Sequence, residues 1–316
     1  MDLAYVMKIE TSPLISVVIP TYNHADFLKV AIKSVLGQIY QNFEIVIVDN
    51  HSNDHTTDVI DSFNDDRIHL YKINNNGIIA ASRNFGVDQA KGEWIAYLDS
   101  DDYWYPTRLN CLVDSMNNDV KYDVLCTDEY KNNNLTGKKT KLIYGPLKGQ
   151  KYRSLLLYGN RLSPSASLVR TEFLLKNEVR FNERPDFVTV EDYDYWLQLA
   201  LLDASFKFIH SFEGEYLIHD GNSSGYLALH KRNELNLIKH HVFNVQKFAS
   251  NKETLWRDLQ AIMSLRGAFQ KLKLGNFWIF LKGLLMSLHA SPVFVCKWVM
   301  YKLTLFFENI FVSLKM

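Results

Sequence analysis

The chain has 316 residues, enough for one large α/β domain with an appendage or for two modest domains. A composition of 47% hydrophobic and 22% charged residues excludes disorder as the default state, and the formal net charge is zero. Three scattered cysteines, Cys111, Cys126 and Cys296, exclude a disulfide framework or a zinc site of paired spacing and fit a reducing compartment.

The neutral total hides an asymmetry. From Leu227 onward there are 13 Lys and Arg against 4 Asp and Glu, and the preceding 226 residues hold 22 against 31. An acidic body suits a cation-dependent site and a basic, aromatic-rich tail suits an anionic surface; two ordinary solvated surfaces divided by chance are the alternative.

Residues 1–13 contain no apolar run of signal-peptide length and are taken as an N-terminal extension. Short β-rich apolar runs follow, as expected of buried parallel strands: Ile15 to Ile19, closed by Pro20; Glu44 to Val48, closed by Asp49; Ile68 to Tyr71; and Trp94 to Leu98, closed by Asp99. Between them Phe27 to Leu36, Thr57 to Phe63 and Ala80 to Ala90 read as helices. This order predicts an α/β fold, a mostly parallel sheet with helices on both faces. Asp128 to Gly149 is polar and predicts an exposed loop or hairpin, Ser165 to Arg170 a strand, and Glu191 to Leu202 a helix whose apolar face is Tyr193, Trp196, Leu197 and Ala200. From Ala228 the pattern is helical. A boundary near Gly225 separates a catalytic domain, 14–226, from a helical C-terminal region, 227–316.

Ligands of such sheets sit beyond the carboxyl ends of the strands. Those ends carry Pro20-Thr21-Tyr22-Asn23, Asp49-Asn50-His51-Ser52 and Asp99-Ser100-Asp101-Asp102. Clustered carboxylates repel unless a cation sits among them, and Mg²⁺ or Mn²⁺ uses few carboxylates plus phosphate oxygens; a solvated acidic turn with Asp102 capping the helix after Pro106 is the alternative. Glu191-Asp192 opens a helix, as a general base or as a partner of the helix dipole. Asn76 to Asn84 is a Gly-bearing turn into a helix where Arg83 could pair with phosphate or lie on the surface. His219, in a loop, is a metal ligand, a phosphate donor or an ordinary histidine. Dinucleotide, P-loop and nucleophile-elbow motifs are absent from the sequence, as is any basic run implying nucleic acid.

In combination, Ile15 to Asn23, Val48 to Asp54, Arg83-Asn84-x-Gly86, Gly92-Glu93-Trp94 and Leu98 to Asp102 resemble the family-2 inverting glycosyltransferases of GT-A fold, from about Leu14 to Trp196. The resemblance implies a donor site for a nucleotide-diphospho-sugar from Pro20, Thr21, Tyr22, Asn23, Asp49, Asn50, Arg83, Asp99 and Ser100. Asp49 and Asn50 would face the base, and Asp99 the ribose and diphosphate. Many relatives carry a second aspartate where this chain has Asn50, whose amide oxygen can accept from the N3–H of uridine or thymidine. Asp101, with His219, would hold a divalent metal, Mg²⁺ or Mn²⁺. Asp192 would be the catalytic base, with Glu191 and Trp196 beside it or against the acceptor. The implied reaction is in-line transfer with inversion to a glycan hydroxyl, the acceptor lipid-linked, as in surface polysaccharide or lipopolysaccharide assembly. An inactive nucleotide-sugar binder and a nucleotidyltransferase are the alternatives; the latter would want a Gly-rich loop where Thr21-Tyr22-Asn23-His24 stands.

In the tail, Phe277 to Leu281 and Val293 to Tyr301 are rich in interface aromatics, with Lys282, Lys297, Lys302 and Lys315 among them. No apolar run reaches the ~18–20 residues of a spanning helix. The expectation is peripheral contact with the cytoplasmic face of a membrane; a helical cap or a dimer face is the alternative.

Overall fold

In the computed structural model the described residues are 12–116, 121–219 and 227–315. The expected N-terminal extension lies almost wholly outside them, and Asp220 to Ser224 and the boundary at Gly225 lie wholly outside. Two compact units divide the rest: residues 12–152 with Asn160–Asn233, and Arg153–Gly159 with the chain from Glu234 onward.

The first unit is built on a nine-stranded sheet. Strands β1 (Ile15–Thr21), β2 (Phe43–Asp49), β3 (Ile68–Lys72) and β4 (Trp94–Tyr97) lie parallel in the order β3-β2-β1-β4. Pro20 does not end β1, because the sheet extends through it to the Thr21–Asp49 register pair. Helices α1 (Ala25–Leu36), α2 (Thr56–Asp61) and α3 (Ile79–Gln89) connect them within one or two residues of expectation. β1 and β2 are buried on both faces, and Leu28, Ile32 and Val35 of α1 join Val17, Ile45 and Ala96 in the core. Two motif glycines are explained by close approach. A Cβ on Gly86 would lie 2.4 Å from Val18 Cγ1, and one on Gly92 would lie 2.6 Å from the Ser16 backbone nitrogen.

Beyond β4 the sheet becomes mixed. β5 (Tyr103–Trp104) and α4 (Arg108–Asp114) follow the acidic turn, and β6 (Val124–Asn133) and β7 (Lys138–Leu142) form an antiparallel hairpin. The polar stretch after Asp128 is therefore a strand extension and a hairpin. After α5 (Lys151–Tyr158), β8 (Ser167–Arg170) pairs antiparallel with β4 and β6. Helices α6 (Thr171–Lys176) and α7 (Glu191–Leu201) come next, then β9 (Phe206–Ile218), parallel to β6 and antiparallel to β5. β9 has no counterpart among the strands expected from the sequence.

The second unit is helical. α8 (Leu227–His240) leads into it, and α9 (Lys252–Lys273), α10 (Phe277–Ala290) and α11 (Pro292–Lys315) form its body.

Candidate active site

The ends of β1 and β2 are tied together by their loops. Asn23, in the left-handed region at φ 50°, donates its N–H to Ser52 Oγ at 2.8 Å and accepts from the Asn53 N–H at 2.8 Å. Asp49 is fully buried; one carboxylate oxygen accepts the Ser52 N–H at 3.0 Å, and the Lys72 ammonium is 3.9 Å from the other. Thr21 is buried and its hydroxyl has no partner among the described residues, whereas Tyr22 is half exposed at the rim. Asn50 differs from expectation. Its amide oxygen already accepts the Asn75 N–H at 2.9 Å, so only its second lone pair remains for a base.

The acidic turn distributes its carboxylates. Asp99 accepts from Arg83 Nη2 at 2.7 Å. Asp101 Oδ2 lies 3.0 Å from His219 Nε2, on side chains 16% and 11% exposed. Asp102 is buried and accepts the Leu217 N–H of β9 at 3.0 Å. It does not cap α4, whose N-terminal residue Thr107 makes no side-chain cap either. Burial first, then the charges of Asp101, Glu129 and Asp99, raise the Asp102 carboxyl well above the usual carboxylate range. Ser100 Oγ is 3.0 Å from His24 Nδ1, and Phe27 stacks on His219 with ring centroids 4.4 Å apart.

Arg83 corrects its expected role. It is 3% exposed, and its two terminal nitrogens hold Asp99 and Glu191 at 2.7 and 2.8 Å. Burial works against its charge, but these two carboxylates outweigh burial and its pKa is raised. In this structure it is a bridge between carboxylates, neither a surface residue nor a group presented to phosphate. The bridge joins the acidic turn to the start of α7 and so brings Asp192 to the same edge. Asn84 fixes the neighbouring segment, exchanging hydrogen bonds with both the N–H and the carbonyl of Phe181 at 2.9 Å.

Asp192 accepts from Asn160 Nδ2 at 3.0 Å. Burial, followed by the charge of Glu191, pushes its carboxyl from 3.8 up to about 7, against the pull of Arg83. A carboxylate poised there suits general-base chemistry near neutral pH. Trp196 is the second correction. It is fully buried against Tyr195, so it belongs to the core and cannot meet an acceptor. Neighbouring residues of α7 are buried all round the helix, including Tyr195 and Leu199 off the predicted face.

His24 and Asn160 complete the site and were not anticipated. Both are polar loop residues whose partners lie far along the chain, so no local pattern marks them.

A divalent cation fits the Asp101–His219 pair. One oxygen and one nitrogen donor converge, and Mg²⁺ or Mn²⁺ sites commonly take one or two protein ligands and complete the shell with substrate phosphates. Among the described residues no group of three or more His, Cys, Asp or Glu is placed to hold a metal alone.

A parallel half-sheet with polar loops at its carboxyl edge, an acidic turn after β4 and the half-buried Asp192 carboxylate brought to the same edge is the arrangement of a GT-A domain. The profile "Glycosyl transferase family 2" matches residues 16–175. The chain belongs to that family. An uncharacterised glycosyltransferase of Rickettsia typhi is 29% identical over 219 residues, which span 67% of this chain and 66% of that protein, just under two thirds. The Escherichia coli UDP-Glc:alpha-D-GlcNAc-diphosphoundecaprenol beta-1,3-glucosyltransferase WfaP is 30% identical over 214 residues, 67% of this chain and 80% of WfaP. Two solved structures share the fold. Staphylococcus aureus TarS 1-349 with UDP-GlcNAc has TM-score 0.61 and 22% identity, over 88% of this chain and 81% of that one. The mannosyltransferase PcManGT of Pyrobaculum calidifontis with GDP-Man and Mn²⁺ has TM-score 0.57 and 14% identity, over 89% and 75%.

Proposed function

We propose that this protein transfers a sugar from a nucleotide diphosphate, with UDP the favoured nucleotide, to a hydroxyl of a lipid-linked glycan in polysaccharide assembly. The observation that carries the proposal is the Asp99–Arg83–Glu191 bridge, which brings the Asp192 base to the edge that holds the acidic turn. The UDP-glucose and diphosphoundecaprenol substrates in the name of WfaP support the donor and acceptor classes. The UDP-GlcNAc bound to TarS supports the same nucleotide.

In the proposed reaction Asp192 removes the proton of the acceptor hydroxyl as its oxygen bonds to the anomeric carbon. The bond from that carbon to the diphosphate oxygen breaks on the opposite face, so configuration inverts and the nucleoside diphosphate leaves. Asn160 holds the Asp192 carboxylate in place. Asp49, Asn50, Thr21 and Tyr22 seat the nucleoside, and Asp99 keeps one oxygen towards the ribose and diphosphate. Asp101 and His219 would hold a divalent cation, which when bound neutralises charge on the leaving diphosphate. Turnover on the cytoplasmic side of the cell membrane is part of the proposal and is supported by three free cysteines.

Thermal-shift titration with UDP-, dTDP- and GDP-sugars in Mn²⁺, followed by turnover with the stabilising donor, tests this reading. Asp192→Asn should keep donor binding and lose transfer. Full transfer by that variant would remove Asp192 as the base, and failure of every nucleotide sugar to bind would overturn the proposal.

A further inference from the structure

The second unit fixes which arc of its last helices faces outward. Asn251 accepts the Thr254 N–H at the start of α9, and Leu255, Leu259, Ile262 and Leu265 follow at helical spacing and are buried. α10 lies so close to α9 that a Cβ on Gly283 would come within 2.7 Å of the Ala268 Cβ. Val295 and Trp298 of α11 enter the same core. At the corner, Ser291 Oγ donates to Asp258 at 2.6 Å.

The arcs left outward are apolar. Trp278, Leu285 and Met286 on α10 are 78%, 58% and 59% exposed, and Val293, Met300 and Phe307 on α11 are 67%, 62% and 56% exposed. Lys282 falls four residues after Trp278 and three before Leu285; Lys297 falls likewise between Val293 and Met300. Both lysines are exposed, so each stripe carries a cation. Patches of this kind mark an interaction surface.

Charge selects the partner. Between Asp258 and Glu308 the sequence has six Lys and Arg and no Asp or Glu. A second copy meeting this face about a two-fold axis would set like charge against like charge. An anionic surface complements it. No single described helix is long and apolar enough to cross a membrane; α10 and α11 reach that length and composition only as a pair, bent by 120° where they meet. α10 would rise only ~21 Å against a hydrocarbon core of ~30 Å. Lysines among exposed aromatics suit a face lying in the headgroup region, where their stems are covered and their ammonium groups reach phosphate.

We propose that the outward face of α10 and α11 docks flat on an anionic lipid bilayer, with Trp278 and Phe307 at the boundary of headgroups and acyl chains. The docking is independent of the transfer chemistry and has its own readout. The full chain should sediment with vesicles of phosphatidylcholine and phosphatidylglycerol, and far less with phosphatidylcholine alone. W278E with F307E should weaken that binding about tenfold or more and leave nucleotide-sugar binding unchanged. Of the six tryptophans, all within the described residues, only Trp278 is exposed. Its emission should therefore shift to the blue on vesicles and be quenched by brominated lipid, and W278F should bind while losing the shift. Equal binding by W278E/F307E, no binding to anionic vesicles, or a solution dimer that the double variant dissociates without any vesicle binding would each overturn the assignment.

Discussion

Replacing Asp192 by asparagine should abolish transfer and make the protein more stable, and the second effect follows from the structure with a definite sign. The Asp192 carboxyl is held near 7 in the folded chain against 3.8 for the free side chain. Between those values the folded state keeps a proton that the unfolded chain has released. The stability this proton provides is fully present below 3.8 and is withdrawn as pH rises through about 7. Each pH step across that window is worth about 1.4 kcal/mol, ~4 kcal/mol in full. Asp192 is partly exposed, so solvent screening reduces the usable part to ~2–3 kcal/mol. Asparagine is neutral in both states and avoids the loss while its amide oxygen can still accept from Asn160. Thermal unfolding at about pH 8 should therefore give Asp192→Asn a Tm about 4–10 °C above the parent, and the gap should close towards pH 4. Transfer should fall ~10²–10⁴-fold in the same variant. A Tm at or below that of the parent at pH 8, or a gap that ignores pH, would refute the raised pKa of Asp192 even if activity were lost.

The remaining predictions test the surroundings of that carboxylate. The transfer rate under saturating donor should climb tenfold per pH step below about 7 and level above it, because only ionised Asp192 accepts a proton; a flat profile through that range would exclude it. Arg83→Gln should cost ~3–5 kcal/mol in denaturant unfolding, since it strands Asp99 and Glu191 beside each other. It should also move the kinetic pKa upward, because Arg83 pulls Asp192 down. Asp102→Asn should keep stability and Mn²⁺-dependent turnover within a few-fold, since an amide oxygen can accept the Leu217 N–H, whereas Asp101→Asn should lose Mn²⁺ affinity in a metal titration; equal effects would contradict the division of roles in the turn.

Much of the first half was legible because buried parallel strands read as apolar runs and the helices between them carry clear stripes. Ile15, Val17 and Ile19, for example, are all fully buried, as such a run requires. β9 was illegible for the opposite reason. Most of its residues from Phe206 to Ile218 are half-buried, so neither an apolar run nor a clean alternation marks it. The candidate residues were legible by type and less so by role. Arg83 stands 108 positions from Glu191, and only the tertiary fold reveals that its charge is spent on carboxylates. Trp196 is legible as part of the apolar face of α7, and its full burial there rules out only the acceptor contact among the two places that the resemblance implies.

The acidic turn shows how one short segment can need three carboxylates without using them alike. Asp102 accepts the Leu217 N–H, and β5 beside it pairs Tyr103 with Glu215 of β9. These two contacts set the register of β9 against the turn, so the chain leaves β9 with His219 beside Asp101. Asp99, at the other end, is taken by Arg83 and through it by Glu191, which sets the position of α7 and of Asp192. The outer aspartates thus place, respectively, the Asp101–His219 pair and Asp192, and Asp101 is left as the carboxylate proposed to meet the cation. A run of like charges is stable here because its members face different partners. Asp99 meets a guanidinium, Asp101 an imidazole and, as proposed, a cation. Asp102 is buried in a setting that raises its pKa and so favours its neutral form.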